Sequence, residues 1–263
     1  MSFAENWRGT WVVTYRELLR FVNERSRIVS SLAFPLLFLV IFGAGFGKVI
    51  GSLAPGVNFM QFMYPGIVAM SVLTSALFAG VSVVWDREFG FLREILVAPI
   101  GRTGIVLGKA LGAGVTALLQ VVIMLVLAPF LGVDLSIPIV LELIPIVILL
   151  SLGLAGLGIL FASFMTSQQG FQLVIQLLIF PLIFLAGVFF PVNQVPQWLE
   201  VVSKVNPLTY GVDAIRQVFL GSSPGLGVTV LGHTMGLLDD VIVVTALGIV
   251  LLGAAVLAFN RQE

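Results

Sequence analysis

A short charged segment from Trp85 to Arg102 has residue types suited to pairing with a partner protein. Between two long apolar stretches it places the charged residues Asp86, Arg87, Glu88, Arg93 and Glu94. In a helix, at about 100° per residue, most of these charges share one face. The opposite stripe contains Trp85, Phe89, Leu92 and Leu96. We expect an amphipathic helix over 86–98 that Pro99 and Gly101 end, with a solvated loop containing one helical turn as the alternative.

Residues for covalent or metal chemistry are sparse. His233 is the single histidine and there is no cysteine, which excludes a multi-histidine or thiolate metal centre. The stretch Gly104–Ala110 departs twice from the phosphate-loop pattern, because Thr103 replaces its first glycine and Ala110 replaces its final Ser or Thr. We therefore expect a chain with no catalytic residue, no metal and no nucleotide site of its own.

Polar side chains inside the apolar stretches are candidates for a transport path. Glu142 is the main ionisable one, and its place near one end of its stretch favours an interfacial carboxylate over a proton relay. The other candidates are Ser71, Thr74, Ser75, Gln172 and Gln176. These side chains could line a path or bond between helices. A mostly uncharged interior favours a lipid-like or amphiphilic cargo over an ion.

Composition defines the elements that must position these residues. The chain is 59% hydrophobic and 10% charged, whereas soluble domains average about 45–50% and about 25%. Its apolar runs reach the roughly 18 residues that a bilayer core requires, so we expect an all-α polytopic membrane protein forming one domain over 1–263. The net charge of +0 argues against a nucleic-acid partner and leaves membrane lipid as an expected one.

Six spans are predicted, at 29–46, 62–84, 105–131, 137–164, 171–190 and 241–259. An amphipathic helix over 4–27, with aromatic residues on one face and arginines on the other, is predicted to lie in the headgroup plane. The outer segment 191–240 is predicted to contain short helices over Val195–Val205 and Leu208–Leu220, separated at Asn206-Pro207. Glycines spaced by four at Gly104, Gly108 and Gly112 predict close approach of another helix.

Lysine and arginine counts predict the orientation. Alternating sides along six spans places ten of these residues on one side and three on the other. Because positive residues concentrate on the cytoplasmic side, we expect both termini and the charged segment to lie in the cytoplasm.

Two motifs resemble a known family. Asp86 to Arg102, DREFGFLREILVAPIGR, is followed by LGK, and Gly187 to Arg216 reads GVFFPVNQVPQWLEVVSKVNPLTYGVDAIR. Both motifs, and the order of elements along nearly the whole chain, resemble type-2 ATP-binding-cassette (ABC) exporter permeases of the inner membrane of prokaryotes. Asp86 stands where the family often has glutamate, which keeps the charge.

The resemblance implies a mechanism. Two permease chains, either two copies of this one or a paralogous pair, would meet along a pathway bordered by spans one, two and five. Two ABC ATPase subunits would bind ATP and Mg on the cytoplasmic side, and the 86–98 helix would sit in a groove of one of them as a coupling helix. The charged residues named above would contact the ATPase, and the Trp85, Phe89, Leu92 and Leu96 stripe would pack against the spans.

The predicted function is that of a non-catalytic permease subunit. It would move an amphiphilic, drug-like, lipid-linked or glycan substrate out of the cytoplasm, and the form of the LVAPIGR motif resembles the drug-efflux branch. The alternative is a stand-alone ion-coupled secondary transporter, which would need an ion site near the membrane midplane. A membrane enzyme has little support because the sequence shows no catalytic constellation.

Overall fold

The computed structural model describes residues 3–53, 59–90, 101–221, 227–230 and 232–261. The helices are α1 (Phe3–Asn23), α2 (Arg25–Leu53), α3 (Phe59–Glu88), α4 (Arg102–Leu127), α5 (Ile137–Ser163), α6 (Gln168–Leu185), α7 (Gln197–Val205), α8 (Pro207–Leu220) and α9 (Leu237–Asn260). Short 3₁₀ turns occupy Ala128–Leu131 and Val192–Gln194, and a two-stranded antiparallel hairpin pairs β1 (Thr229–Val230) with β2 (His233–Thr234).

The apolar helices confirm the predicted helical membrane-protein class. By length and composition, α3, α4 with its following turn, α5, α6 and α9 can each cross a membrane. Helices α1 and α2 pass the same test only together, with a 71° bend between them. The described residues therefore contain five candidate spans or, if this bent pair counts as one, six. The last five predicted spans correspond to α3–α6 and α9, and α2 covers the first.

Helix α3 is the centre of the bundle. It packs against α2, α4, α5, α6 and α8, and its side chains are buried along nearly its whole length. Close crossings depend on glycine. A Cβ atom on Gly80 of α3 would lie 2.4 Å from the carbonyl oxygen of Gly158, and one on Gly153 would lie 2.8 Å from the Cα of Gly248. The glycines of α5 thus let α3 and α9 each approach the backbone of α5, which remains one continuous helix.

Helix α1 lies along α4. The predicted glycine strip is the contact surface, since Gly108 meets Val13 and Gly112 meets Glu17. On the opposite side of α1, Trp7, Trp11 and other aromatic or aliphatic side chains are exposed. The predicted aromatic face therefore exists, but the face turned away from it packs on α4 rather than facing water.

The charged segment starts differently from the prediction. Residues Trp85–Glu88 form the last turn of α3, so a separate helix does not begin at Asp86. Gly90 then adopts a left-handed backbone conformation, with φ of 80°, which an α-helix cannot continue through. The remainder of the predicted coupling helix, 91–98, lies outside the described residues.

At the other end of the bundle, called here the α7 end, two short helices follow α6 as predicted. Asn206 separates α7 from α8, and its side chain accepts a hydrogen bond from the Leu208 backbone N–H. Helix α8 is mostly buried and packs against α3, α5 and α9. The sequence left the stretch after Gly225 undetermined, and the described part of it forms the β1–β2 hairpin.

Candidate functional site

Four charged side chains, Arg16, Glu17, Asp86 and Lys109, meet at the α1 end of the bundle and are called here the ion cluster. The Lys109 Nζ atom lies 2.6 Å from Asp86 Oδ2 and 3.2 Å from Glu17 Oε1. It also donates to Ser82 Oγ at 2.6 Å. Arg16 Nη2 lies 2.6 Å from Asp86 Oδ2 and 3.3 Å from Glu17 Oε1. Residues distant in sequence therefore join α1, α3 and α4 through one network.

The ion cluster is electrically balanced. Its two cations face two carboxylates, and the three donors of the Lys109 ammonium group have three oxygen partners. The Lys109 side chain is completely buried, and an unpaired buried charge would cost several kcal/mol. The charges consequently hold α1, α3 and α4 in a fixed arrangement.

The last turn of α3 has a second anchor. Arg87 Nη1 donates to the Met165 carbonyl oxygen at 2.6 Å, and Glu88 accepts from the Gln168 backbone N–H at 2.9 Å. Both partners belong to the turn between α5 and α6 or to the start of α6. The helix end from which the charged segment departs is thus fixed to α1, α4, α5 and α6.

These contacts correct part of the predicted partner surface. Asp86 is only 3% exposed and pairs inside the molecule, so its carboxylate is not presented to a partner. Phe89 is 58% exposed, and its ring lies 5.8 Å from that of Trp85, measured between centroids. Trp85 also lies under the Arg20 guanidinium.

Four other predicted contact residues, Leu92, Arg93, Glu94 and Leu96, lie outside the described residues. Arg87 and Glu88 remain accessible in part, although both already bond to the α5–α6 region. The predicted ATPase surface therefore remains a prediction for these positions.

A cavity of about 650 Å³ lies between α2, α3 and α6. These helices cover the predicted first, second and fifth spans, which the resemblance assigned to the pathway. The cavity walls are mainly apolar, and their aromatic side chains are Phe34, Phe38, Phe78, Phe180 and Phe184. Its volume falls within the roughly 300–1,000 Å³ of pockets that bind small molecules.

Three of the predicted pathway residues line this cavity, namely Thr74, Gln172 and Gln176. The two glutamines are one turn apart on α6, as their spacing predicted. Their amide groups give an otherwise apolar chamber hydrogen-bonding capacity without charge.

The other three predicted pathway residues have different surroundings. Ser71 donates to the Val68 carbonyl oxygen within α3, and Ser75 shares a 3.1 Å hydrogen bond with Thr116 of α4. Glu142 is exposed on α5, and the described cavity lining does not include it. Ser75 therefore bonds between helices, which is one of the two alternatives that the sequence left open.

Aromatic rings bound the cavity toward the α7 end. The Phe189 ring lies 5.9 Å from Phe38, 5.4 Å from Phe42 and 5.1 Å from Phe184, measured between centroids. The turn that carries Phe189 is fixed by Arg216, which donates to the Gly187 carbonyl oxygen at 2.6 Å. Helix α8 thus supports the rings beside the cavity.

The ion cluster contains residues that sequence reasoning missed as a site. Arg16, Glu17 and Lys109 were counted only as surface charges or as part of a failed motif. One signal was present, because Lys109 is the only lysine or arginine between Thr103 and Ser203. An ionisable residue in such an apolar stretch marks a partnered, functional position by default.

The helix inventory, the cavity among apolar helices and the buried ion cluster define a polytopic helical membrane protein. Residues 8–220 match the sequence profile of the family described as ABC-2 type transporter. The chain therefore belongs to the ABC-2 type transporter family, which confirms the resemblance of its two motifs.

Individual proteins of similar sequence agree with this family assignment. The putative transport permease ycf38 of Cyanophora paradoxa is 33% identical, over 81% of this chain and 74% of the relative. Nodulation protein J of Rhizobium meliloti (strain 1021) is 31% identical, over 82% of each chain. The inner membrane transport permease YadH of Escherichia coli (strain K12) is 31% identical, over 74% of this chain and 76% of the relative.

Proposed function

We propose that this chain is the membrane-embedded permease subunit of an exporter driven by separate ABC ATPase subunits. The match of residues 8–220 to the ABC-2 type transporter family carries this proposal. Relatives named as transport permeases support it. ATP and Mg belong to the ATPase subunits, and this chain contributes the path and the mechanical connection.

The cargo is an amphiphilic molecule of the drug-like, lipid-linked or glycan-bearing kind. Phenyl and aliphatic walls favour its apolar part. Gln172 and Gln176 offer amide donors and acceptors to its polar groups. Among the described residues the cavity lining contains no ionisable side chain, so the ion-coupled alternative has no support from this site.

Two permease chains complete the transport path. On α6, the side chains of Leu173, Leu177 and Phe180 are more than half exposed, although the same helix lines the cavity. A second permease chain against this face would cover these residues and extend the chamber. In the working complex two ATPase subunits lie on the cytoplasmic side of an inner membrane, with both permease termini on that side.

Coupling passes through the segment that follows α3. An ATPase groove would receive residues 91–98, with Arg93 and Glu94 as pairing charges. Any displacement of that segment pulls on the last turn of α3, which Asp86 connects to α1 and α4 and Arg87 connects to the α5–α6 turn. Asp86 is therefore a positioning residue that passes motion inward.

Charge reversal tests this assignment. Glu94→Lys in the assembled complex is expected to reduce cargo-stimulated ATP hydrolysis while the chain still inserts and keeps its melting temperature. Arg93→Glu together with Glu94→Lys should abolish the stimulation. Asp134→Asn, an exposed change at the opposite end of the bundle, is the matched control. Full stimulation in the double variant would show that this segment is not the coupling element.

A further inference from the structure

Two buried carboxyl groups meet at the α7 end, far from the ion cluster. Asp213 of α8 is 1% exposed, and Asp240 in the first turn of α9 is completely buried. Gln217 lies between them, and its Nε2 atom donates to Asp240 Oδ2 at 2.8 Å and to Asp213 Oδ2 at 3.4 Å. Because one amide nitrogen contacts both carboxyl groups, the two groups lie next to each other in this buried site.

The same carboxyl pair fastens the β1–β2 hairpin. The backbone N–H of Val228, next to β1, donates to Asp213 Oδ2 at 2.8 Å. Gln217 also donates to the Met235 carbonyl oxygen just after β2. Helix α8, the hairpin and the start of α9 therefore converge on Asp213, Gln217 and Asp240, called here the carboxyl latch.

The latch lacks compensating donors for two full negative charges. Asp213 Oδ1 and Asp240 Oδ1 are buried, and neither has a hydrogen-bond partner among the residues that the structure describes. The other charged or titratable groups acting on the pair are Arg216 and Tyr210 of α8 and Asp239 of α9. Asp239 is itself paired with His233 of the hairpin. Arg216 is the single cation in this set, and it donates to a backbone carbonyl.

A proton resolves this imbalance. Two adjacent carboxylates offer each other only acceptor atoms, and both Oδ1 atoms here lack a donor within the described part of the chain, so a proton on one carboxyl group supplies a donor that the site otherwise lacks. Like charges in one buried site also prevent both groups from ionising together. Burial raises the pKa of the Asp213 carboxyl, against the bond from Val228 and the charge of Arg216.

We propose that Asp213 and Asp240 share one proton, and that this proton locks α8 and the β1–β2 hairpin to the start of α9. When the proton leaves, two adjacent buried negative charges repel each other and the lock opens. Opening of the lock would also affect the cavity. Arg216 of α8 bonds to Gly187 in the turn that carries Phe189, and the Phe189 ring packs against Phe184 of the cavity wall. The latch is a proton-binding site that sets how firmly the α7 end of the bundle is closed.

The sign of the pH dependence follows from proton counting. The native latch holds a proton that free aspartates, with a pKa of about 3.9, have already lost at neutral pH. Stability is therefore highest at low pH and falls as pH rises through the titration of the native pair. The melting temperature should fall by roughly 3–5 °C per pH unit within that range.

Infrared difference spectroscopy of the purified full-length protein in detergent detects the proton directly. We expect the carbonyl stretch of a buried protonated carboxylic acid, which disappears as pH rises. In Asp213→Asn and in Asp240→Asn the remaining buried carboxyl group has lost its like-charged neighbour, so its band should disappear at a lower pH than in the wild type, whereas the exposed control Asp134→Asn should leave the titration unchanged. If neither amide variant accumulates, the pH titration of the band in the wild-type protein is a sufficient test. Absence of a buried carboxylic acid band from the wild-type protein at low pH would overturn the proposal.

Thermal unfolding across pH separates a latch from a merely structural contact. An amide cannot lose a proton, so Asp240→Asn should match the wild type at low pH and exceed it at high pH, with a flatter profile. A variant that is less stable by the same amount at every pH would overturn the proposal. So would a rise in the wild-type melting temperature on adding Na⁺ or Ca²⁺ that Asp240→Asn lacks, because the pair would then bind a cation.

Discussion

Replacement of Lys109 by methionine tests the ion cluster most sharply. Methionine has a similar length and fits a buried site, but the change leaves Asp86 and Glu17 with Arg16 as their one cation. Removing one partner of a buried ion pair costs about 3–5 kcal/mol. Arg16 remains 2.6 Å from Asp86 but is 40% exposed, so we expect a loss near the lower limit, about 3 kcal/mol.

The measurement is thermal unfolding of the purified chain in detergent. A loss of about 3 kcal/mol corresponds to a fall of roughly 6–12 °C in melting temperature for a chain of this size. Lys204→Met is the matched control, because Lys204 pairs with Glu200 one helical turn away on a partly exposed surface. Such pairs contribute only about 0.3–0.5 kcal/mol, so the control should shift the melting temperature by about 1–2 °C.

A second substitution identifies the cause. Asp86→Leu combined with Lys109→Met removes one anion and one cation and leaves Arg16 paired with Glu17. Because an apolar pair can replace a buried ion pair at little cost, the double variant should recover to within about 3 °C of the wild type. If it instead falls by the sum of the two single losses, charge balance does not explain the stability of the cluster, and the reasoning fails.

Two further predictions concern packing and cargo. Gly80→Ala should destabilise the bundle by about 1–3 kcal/mol, because its new Cβ would lie 2.4 Å from the Gly158 carbonyl oxygen. Gly253→Ala, with open space around it, should be neutral or stabilising by up to about 1 kcal/mol in the same unfolding measurement. Replacing Gln172 and Gln176 by leucine should weaken transport of cargo with polar groups several-fold and leave the melting temperature unchanged. Equal transport of polar and apolar cargo analogues by that variant would show that the two amides do not contact cargo.

The sequence was sufficient for elements that depend on local patterns. Apolar run length located the helices that are long and apolar enough to span a membrane, and Asn206-Pro207 located the boundary between α7 and α8. The four-residue glycine spacing predicted a close helix contact, which α1 makes. The spacing of Gln172 and Gln176 predicted a shared helix face, and in the structure both residues line the cavity.

What the sequence could not provide was pairing between distant residues. The periodicity of the 85–98 segment placed Asp86 on an outward charged face, because it treated the segment as a helix of its own. In the structure α3 continues to Glu88. The position of Asp86 on this helix turns its carboxylate toward Lys109 and Arg16, with which it forms ion pairs. Likewise, Asp213 and Asp240 lie on different helices with the hairpin between them in the chain, and only the packing of α8 on α9 joins them.

The most direct test of the central claim is to extract this chain from its native membrane in mild detergent, identify what accompanies it, and measure ATP hydrolysis. The account predicts a soluble ABC ATPase in equal amount to the permease chain, with hydrolysis that vanadate inhibits. An ATP-inert chain that remains alone under gentler extraction, and that moves cargo when only an ion gradient is supplied, would contradict it.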